Sequence, residues 1–358
     1  MRQEPVLSRA GQWFLQSGIQ EKSGGVARYY RSDLLRNHAV STEITGYTVS
    51  ALLYLHSATH DARYLERAVA AARFLSRYAW DGRFMPFEIE PSPEGLVSYF
   101  FDCGIITRGL LAVWRATREQ EFLDAAVSVG KSMAADFASA EGDYHPIVVL
   151  PEKRGLPRDA TRWSRSPGCY QLKSALAWWE IDEVTGGGQF RQLYDRVLVD
   201  ALRGYAAFLP GHEDRVKVVD RLHAFLYFLE GLLPAASERR AAAALCDGIR
   251  RVAQHLGETA AEFERSDVYA QLLRIRIFAD WAGIVPLDLA AARAEADTLA
   301  AFQASHSDPR LDGGFFFGRK SGSWLPYVNP VSTAFGLQAL ALWEQYQAGS
   351  PAHWRILI

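Results

Sequence analysis

The stretch spanning residues 43–78 constrains this chain more than any other. Its first half, up to about Ala58, places small or apolar residues on nearly every side of a helix. Its second half puts Tyr64, Leu65, Ala68, Ala71, Ala72 and Leu75 on one stripe and charge on the other face. A helix apolar all round must be enclosed, and a helix with one stripe lies at a surface. Thr59-His60-Asp61 reads as the turn between them, with Asp61 capping the second helix. The unit is a hairpin of one inner and one outer helix.

The pattern recurs. Inner helices are expected to start near Phe101, Cys169, Asp220, Ser266 and Val331, and outer partners near Glu121, Gln189, Ser237 and Leu287. Ser237 reads as an N-cap. A helix over residues 6–17, carrying Leu7, Trp13 and Phe14, supplies a sixth outer helix. It is expected to pack against the last inner helix, near Phe335 and Tyr346, and so close a ring. The repeat of roughly 50 to 65 residues is that of solenoids and closed arrays. Turns from inner to outer helices are short, and connections from outer to inner helices are long. The long loops therefore gather at one end, over inner-helix N-termini that carry partial positive charge. That end is where a site is expected. No Pro/Gly segment reads as a linker, so residues 1–358 are expected to form one domain. Strand is expected only within loops, as at residues 84–89 and 315–317.

Composition narrows the function classes. A net charge of −2 has no basic excess to favour nucleic acid. No segment approaches the length of a membrane span, and the first eighteen residues hold no apolar run of signal-peptide length. The three cysteines match no zinc spacing. A cytoplasmic protein is expected. There is no phosphate-binding glycine loop, H-E-x-x-H or nucleophile elbow, so neither a cofactor nor a metal is expected.

The phrase D-x-x-Y-L-x-x-A opens the first outer helix as Asp61-Ala62-Arg63-Tyr64-Leu65-Glu66-Arg67-Ala68. It returns in altered form as Gln120-Glu121-Phe122-Leu123-Asp124-Ala125-Ala126. With the loops Ser23-Gly24-Gly25 and Asp312-Gly313-Gly314-Phe315, it makes the chain resemble the (α/α)6-toroid carbohydrate-active enzymes. The nearest in look are the unsaturated glucuronyl hydrolases, and more distantly the sugar epimerases. Terpenoid cyclases and peptide-modifying cyclases share this ring. The resemblance implies an all-α toroid of six inner and six outer helices. It also implies a glycoside hydrolase-like enzyme, with elimination and epimerisation as the other chemistries.

Polar residues near the inner-helix starts are the site candidates: Glu43, Asp102, Tyr170, Lys173, Asp220, His223, Asp267 and Asn329. Carboxylates there also serve as caps, a reading that fits Asp220 and Asp267 best. Asp102 stands between Phe100-Phe101 and Cys103-Gly104, which should desolvate it and raise its pKa toward that of a general acid. The helix N-terminus pulls the other way. Glu43 holds the equivalent place on the neighbouring inner helix, so the two form a carboxyl pair of the kind glycoside chemistry uses. His223 is the third catalytic candidate, and His145 another acid/base candidate; each also reads as structural. Arg165 beside Trp163 suits a carboxylate and a sugar face. Lys173, on a helix that reads as buried, requires a partner or a cavity. Cys103 and Cys169 resemble part of a cyclase zinc site, but Gly104 and Tyr170 follow them where a His is needed. Tyr30, Phe87, Trp163, Tyr170 and Trp324 are expected as cavity walls. The expected partner is a glycan or oligosaccharide bearing an acidic sugar. The alternative is a non-catalytic ring that binds a glycan or a protein in polysaccharide assembly.

Overall fold

A computed structural model of the chain describes residues 5–90, 95–210 and 214–358. Among these, twelve α-helices follow in order: α1 (Val6–Gln16), α2 (Thr42–Thr59), α3 (Ala62–Arg73), α4 (Phe100–Thr117), α5 (Gln120–Asp136), α6 (Gln171–Thr185), α7 (Gln189–Gly204), α8 (Arg215–Gly231), α9 (Arg239–Thr259), α10 (Ser266–Trp281), α11 (Leu289–Ala300) and α12 (Pro330–Gln347). Helices α2, α4, α6, α8, α10 and α12 are buried over most of their lengths, and the others bury one stripe. The described chain divides into two compact units, one of Gln20–Arg28 and His38–Gly204, the other of Met1–Ile19, Tyr29–Asn37 and Tyr205–Ile358.

In the first unit α4 packs against both α2 and α6, and α3, α5 and α7 each cover the helix before them. Small residues permit this closeness. A Cβ on Gly109 of α4 would fall 2.7 Å from the Gly46 carbonyl oxygen of α2, and Gly104 backs onto the Ser174 backbone of α6. Enclosure also demands that charge be matched. Glu180 accepts from Arg108 Nε at 2.7 Å and from Arg115 Nη1 at 2.6 Å. The turn at Thr59-His60-Asp61 lies where the sequence indicates: His60 is left-handed at φ 58°, and Asp61 accepts from the Arg63 N–H at 2.9 Å.

In the second unit α10 packs against α8 and α12, and α1 lies against α12, as expected for the last inner helix. Trp13 of α1 is buried and donates from Nε1 to the Arg310 carbonyl at 2.9 Å. Arg274 on α10 is wholly buried. It donates to Glu230 of α8 at 2.6 Å and to Gln338 of α12 at 2.9 Å, with its guanidinium 4.0 Å from the Phe335 ring centre. One cation thus ties three enclosed helices together.

Several local expectations change. Helix α8 begins at Arg215, five residues before Asp220, and is capped by Asp214, which accepts from the Lys217 N–H. Its first turn is exposed and so shows no apolar period. Helix α9 has Glu238 at its N-cap with no side-chain cap bond, so Ser237 is not the cap. Helix α3 runs into a π-helical turn, Phe74–Ala79. The loop strands also lie elsewhere. Val97–Tyr99 pairs with Ile147–Val149, and Gly318–Lys320 pairs with both Phe263–Arg265 and Ser323–Trp324. Residues 84–89 and 315–317 contribute only isolated bridges, at Glu88, Phe315 and Phe316. Pro86 lacks the N–H a ladder needs. Pro91 and Pro93 of that loop lie outside the described residues. Among the described residues no helix is long and apolar enough to cross a membrane.

The Arg274 junction gives a stability test. Glu230→Ala leaves a buried guanidinium without its carboxylate, and urea unfolding should show a loss of about 3–5 kcal/mol. The paired change Glu230→Met with Arg274→Leu removes both charges and should recover most of that loss.

Candidate active site

Helices α2 and α4 begin side by side in the first unit, and each carries a carboxyl in its first turn, Glu43 and Asp102. Asp102 is 6% exposed, and its Oδ2 has no hydrogen-bond partner in the structure. Glu43 keeps partial contact with solvent although protein atoms crowd it. Burial pushes Asp102 well above the ordinary carboxyl range, and the charges of Glu43 and Glu88 push it further. Burial likewise raises Glu43 to about 7, opposed by the Arg28 guanidinium. The two carboxyls titrate as a pair. Glu43, raised to about 7, ionises close to neutrality, and its charge then helps Asp102 keep its proton.

Arg28 and Glu88 were not evident from the sequence pattern. Arg28 ends the segment after the Gly24-Gly25 turn, and Glu88 sits in the long loop before α4. They pair at 3.3 Å, and Arg28 lies 4.9 Å from the Phe87 ring centre. Phe87 in turn packs 5.0 Å from Tyr99, directly before α4. The site is therefore a carboxyl pair with one neighbouring, half-exposed guanidinium and an aromatic wall. Backbone contacts hold it in place: Thr42 donates from Oγ1 to the Pro86 carbonyl at 2.6 Å, and Ser41 accepts from the Ile44 N–H.

The other candidates divide by unit. Tyr170 is buried, donates to the Ser166 carbonyl at 3.1 Å and meets Trp163 edge-on at 5.0 Å. Phe101, next to Asp102, lies 6.4 Å from Tyr170, so these rings continue the wall on the α4–α6 side. Lys173 has no exposed surface and cannot reach a ligand in this conformation. The Arg165 charge bears on Asp159, which Arg162 also approaches at 4.0 Å. His145 packs its ring on the Gly155 backbone. Cys103 is buried 3.5 Å from Ser98 Oγ, and burial pushes its thiol up to about 12. Among the described residues no three His, Cys, Asp or Glu side chains gather at metal-binding spacing.

In the second unit Asp267 is held by Arg265 through two bonds, at 3.0 and 2.6 Å, and is kept below the usual carboxylate range by that guanidinium despite its burial. His223 lies close to Arg265. Burial, with the Arg265 charge second, drops its pKa to about 3, so it is neutral at physiological pH. Its ring is 5.8 Å from Tyr227. Arg265 stacks 4.7 Å from the Phe317 centre, and Phe317 stacks on Tyr327 at 5.2 Å. His223, Asp267 and the unforeseen Arg265 thus form a second polar cluster. Asp220 is exposed and not at a helix start. Asn329 serves as the α12 cap, accepting from the Ser332 N–H at 2.6 Å. Tyr30 is 2% exposed and belongs to the core, with Arg310 over its ring at 4.9 Å, so it is not the cavity wall expected; its neighbour Tyr29 lies 5.2 Å from Tyr327. Trp324 is 42% exposed and stacks on Phe316.

Comparison with solved structures decides the architecture. The cellobiose 2-epimerase of Spirochaeta thermophila DSM 6192 superposes with a TM-score of 0.71 over 96% of this chain and 97% of its own, at 13% identity. The chain is an (α/α)6 toroid. A D-mannose isomerase matches at 0.70 over 95% of this chain and 97% of its own, at 8% identity. The unsaturated glucuronyl hydrolase of Bacillus sp. GL1 matches at 0.67 over 98% of both chains, at 12% identity. No family model and no curated protein matches the sequence. The toroid assigns α2, α4, α6, α8, α10 and α12 as inner helices, with α1 as the sixth outer one.

The raised carboxyls predict a measurable pH effect on stability. Below pH 4.5 both folded and unfolded Glu43 hold the proton, and above about 7 both have lost it. Between these values only the folded state keeps it, so unfolding releases protons and stability falls as pH rises. Glu43→Gln removes this penalty. Its unfolding free energy should match wild type at pH 4 and exceed it by of order 2 kcal/mol at pH 8. Equal differences at the two pH values would refute the assignment.

Proposed function

We propose that this protein is a carbohydrate-active enzyme of the glycoside hydrolase-like kind, acting on a glycan or oligosaccharide that bears a uronate. The observation that carries the proposal is the Glu43–Asp102 pair: two carboxyls displaced upward by desolvation, Asp102 also by the charge of Glu43, beside Arg28 and an aromatic wall. Likeness of the ring supports the sugar as substrate class, because the solved toroids it matches are described as epimerases, an isomerase and a glucuronyl hydrolase.

In this reading Asp102 donates its proton to the substrate oxygen or carbon that must be protonated. Glu43, ionised near neutrality, accepts a proton from the attacking water. Glu88 steadies Arg28, which receives the uronate carboxylate. We assign that role to Arg28 in preference to Arg165 and Lys173, because Arg28 bears directly on the pair while Lys173 is enclosed. Trp163, half-buried and braced by the Tyr170 ring, offers a ring face to the sugar. The catalytic steps of this reading use residues of the first unit alone. His223 is neutral across the physiological range and so suits hydrogen bonding better than proton donation.

The reading is tested by incubating the protein with uronate-bearing oligosaccharides and weighing the products. Addition of water, an unsaturated product and unchanged mass mark hydrolysis, elimination and epimerisation respectively. Asp102→Asn should lower kcat by about 100- to 10,000-fold with an unchanged melting temperature at pH 5. Arg28→Ala should mainly raise KM, since it removes binding shared by ground and transition states. Turnover by Asp102→Asn at near the wild-type rate would end the acid/base assignment. Saturable glycan binding without any product would favour the non-catalytic ring.

A further inference from the structure

A separate cavity of about 290 Å³ opens in the first unit between the loop before α2, the end of α3 and the loop after Glu88. Its apolar wall is Val40, Phe74 and Ile89, and its rim carries Glu21, Glu90 and Tyr78. Tyr78 is 66% exposed, with its ring tilted 36° against Phe74 at 5.4 Å. The π-helical turn Phe74–Ala79 supplies both rings. Such turns recur at functional sites.

The wall is built and fixed. Gly24 has φ +94°, and a Cβ there would strike the Ala70 carbonyl; one on Gly25 would lie 2.7 Å from Val40 Cγ1 and 2.9 Å from the Phe74 ring. Gln20 clamps this turn by donating to the carbonyls of Gly24 at 3.1 Å and Arg67 at 3.0 Å. Glu21 is therefore carried on a rigid turn. The neighbouring cations are engaged elsewhere: Arg28 pairs with Glu88 and Arg77 with Glu121. Among the described residues neither Glu21 nor Glu90 forms an ion pair, and Lys22 pairs with neither.

We propose that this cavity binds a small organic cation, a guanidinium or ammonium on a short apolar frame. Two acceptor-only carboxylates select positive charge. The exposed face of Tyr78 attracts a cation through its ring quadrupole. Val40, Phe74 and Ile89 take the apolar frame, and a polar solute without one gains nothing from them. A bare divalent metal fits less well, because hard cations demand six or more oxygens and this wall is apolar. The proposal stands apart from the carboxyl-pair reading and needs no turnover to be tested.

The experiment is a saturation-transfer NMR titration of the whole chain with n-butylguanidinium, and with n-butylurea as its uncharged counterpart. The expected result is saturable binding of the guanidinium, about fivefold or more tighter than the urea. Glu21→Gln with Glu90→Gln should weaken the guanidinium about fivefold or more while leaving the melting temperature unchanged, as suits two exposed side chains. Equal binding of the two probes, equal binding by the double variant, or no saturation by about 20 mM would overturn the proposal.

Discussion

Six helices without a polar face are the constraint on which the rest of this structure depends. Such a helix is stable only when enclosed by other helices. Enclosure brings backbones close, so Gly46, Gly104 and Gly109 stand where a Cβ would collide. It also removes water from every charge that remains, so Arg108 and Arg274 sit within hydrogen-bonded ion pairs. The amphipathic helices are the covering layer, and the N-terminal helix α1 does for α12 what α11 does for α10.

The same desolvation that stabilises the apolar surface acts against the carboxyls at the helix starts. A helix N-terminus favours a carboxylate by a modest amount, at most about 2 kcal/mol in partly buried settings. Burial of Asp102 beside two further carboxyls works in the opposite direction and prevails. Asp267 shows the contrast. It is buried to a similar degree at an equivalent helix start, yet two bonds from Arg265 keep it ionised. Environment rather than residue type thus separates a proton-holding carboxyl from a charged one. The difference between the two is whether a guanidinium makes direct contact or stands off, as Arg28 does from Asp102.

Much of the architecture was legible in the chain. The all-round apolar runs, the striped partners and the Asp61 turn are local properties that 3.6-residue periodicity records. Glu43 and Asp102 were also visible, because each opens an enclosed helix and aromatic neighbours flank Asp102. Helix α8 was misplaced at its start because its first turn is exposed and charged, and an exposed turn carries no apolar period. Strands were misplaced because a two- or three-residue ribbon depends on its partner and not on its own sequence.

Taken alone, the sequence determined the number of helices and their buried or surface character, since these follow from local patterning. Tertiary structure alone decided which charges meet. Arg28, Glu88 and Arg265 lie in loops without periodicity, and their roles arise from partners 60, 60 and two residues away. Lys173, Asn329 and Asp220 were all ligand candidates in the sequence. Their fates diverged, to full burial, to a cap and to the surface, because burial and hydrogen bonding are properties of the packed neighbours and not of the residue itself.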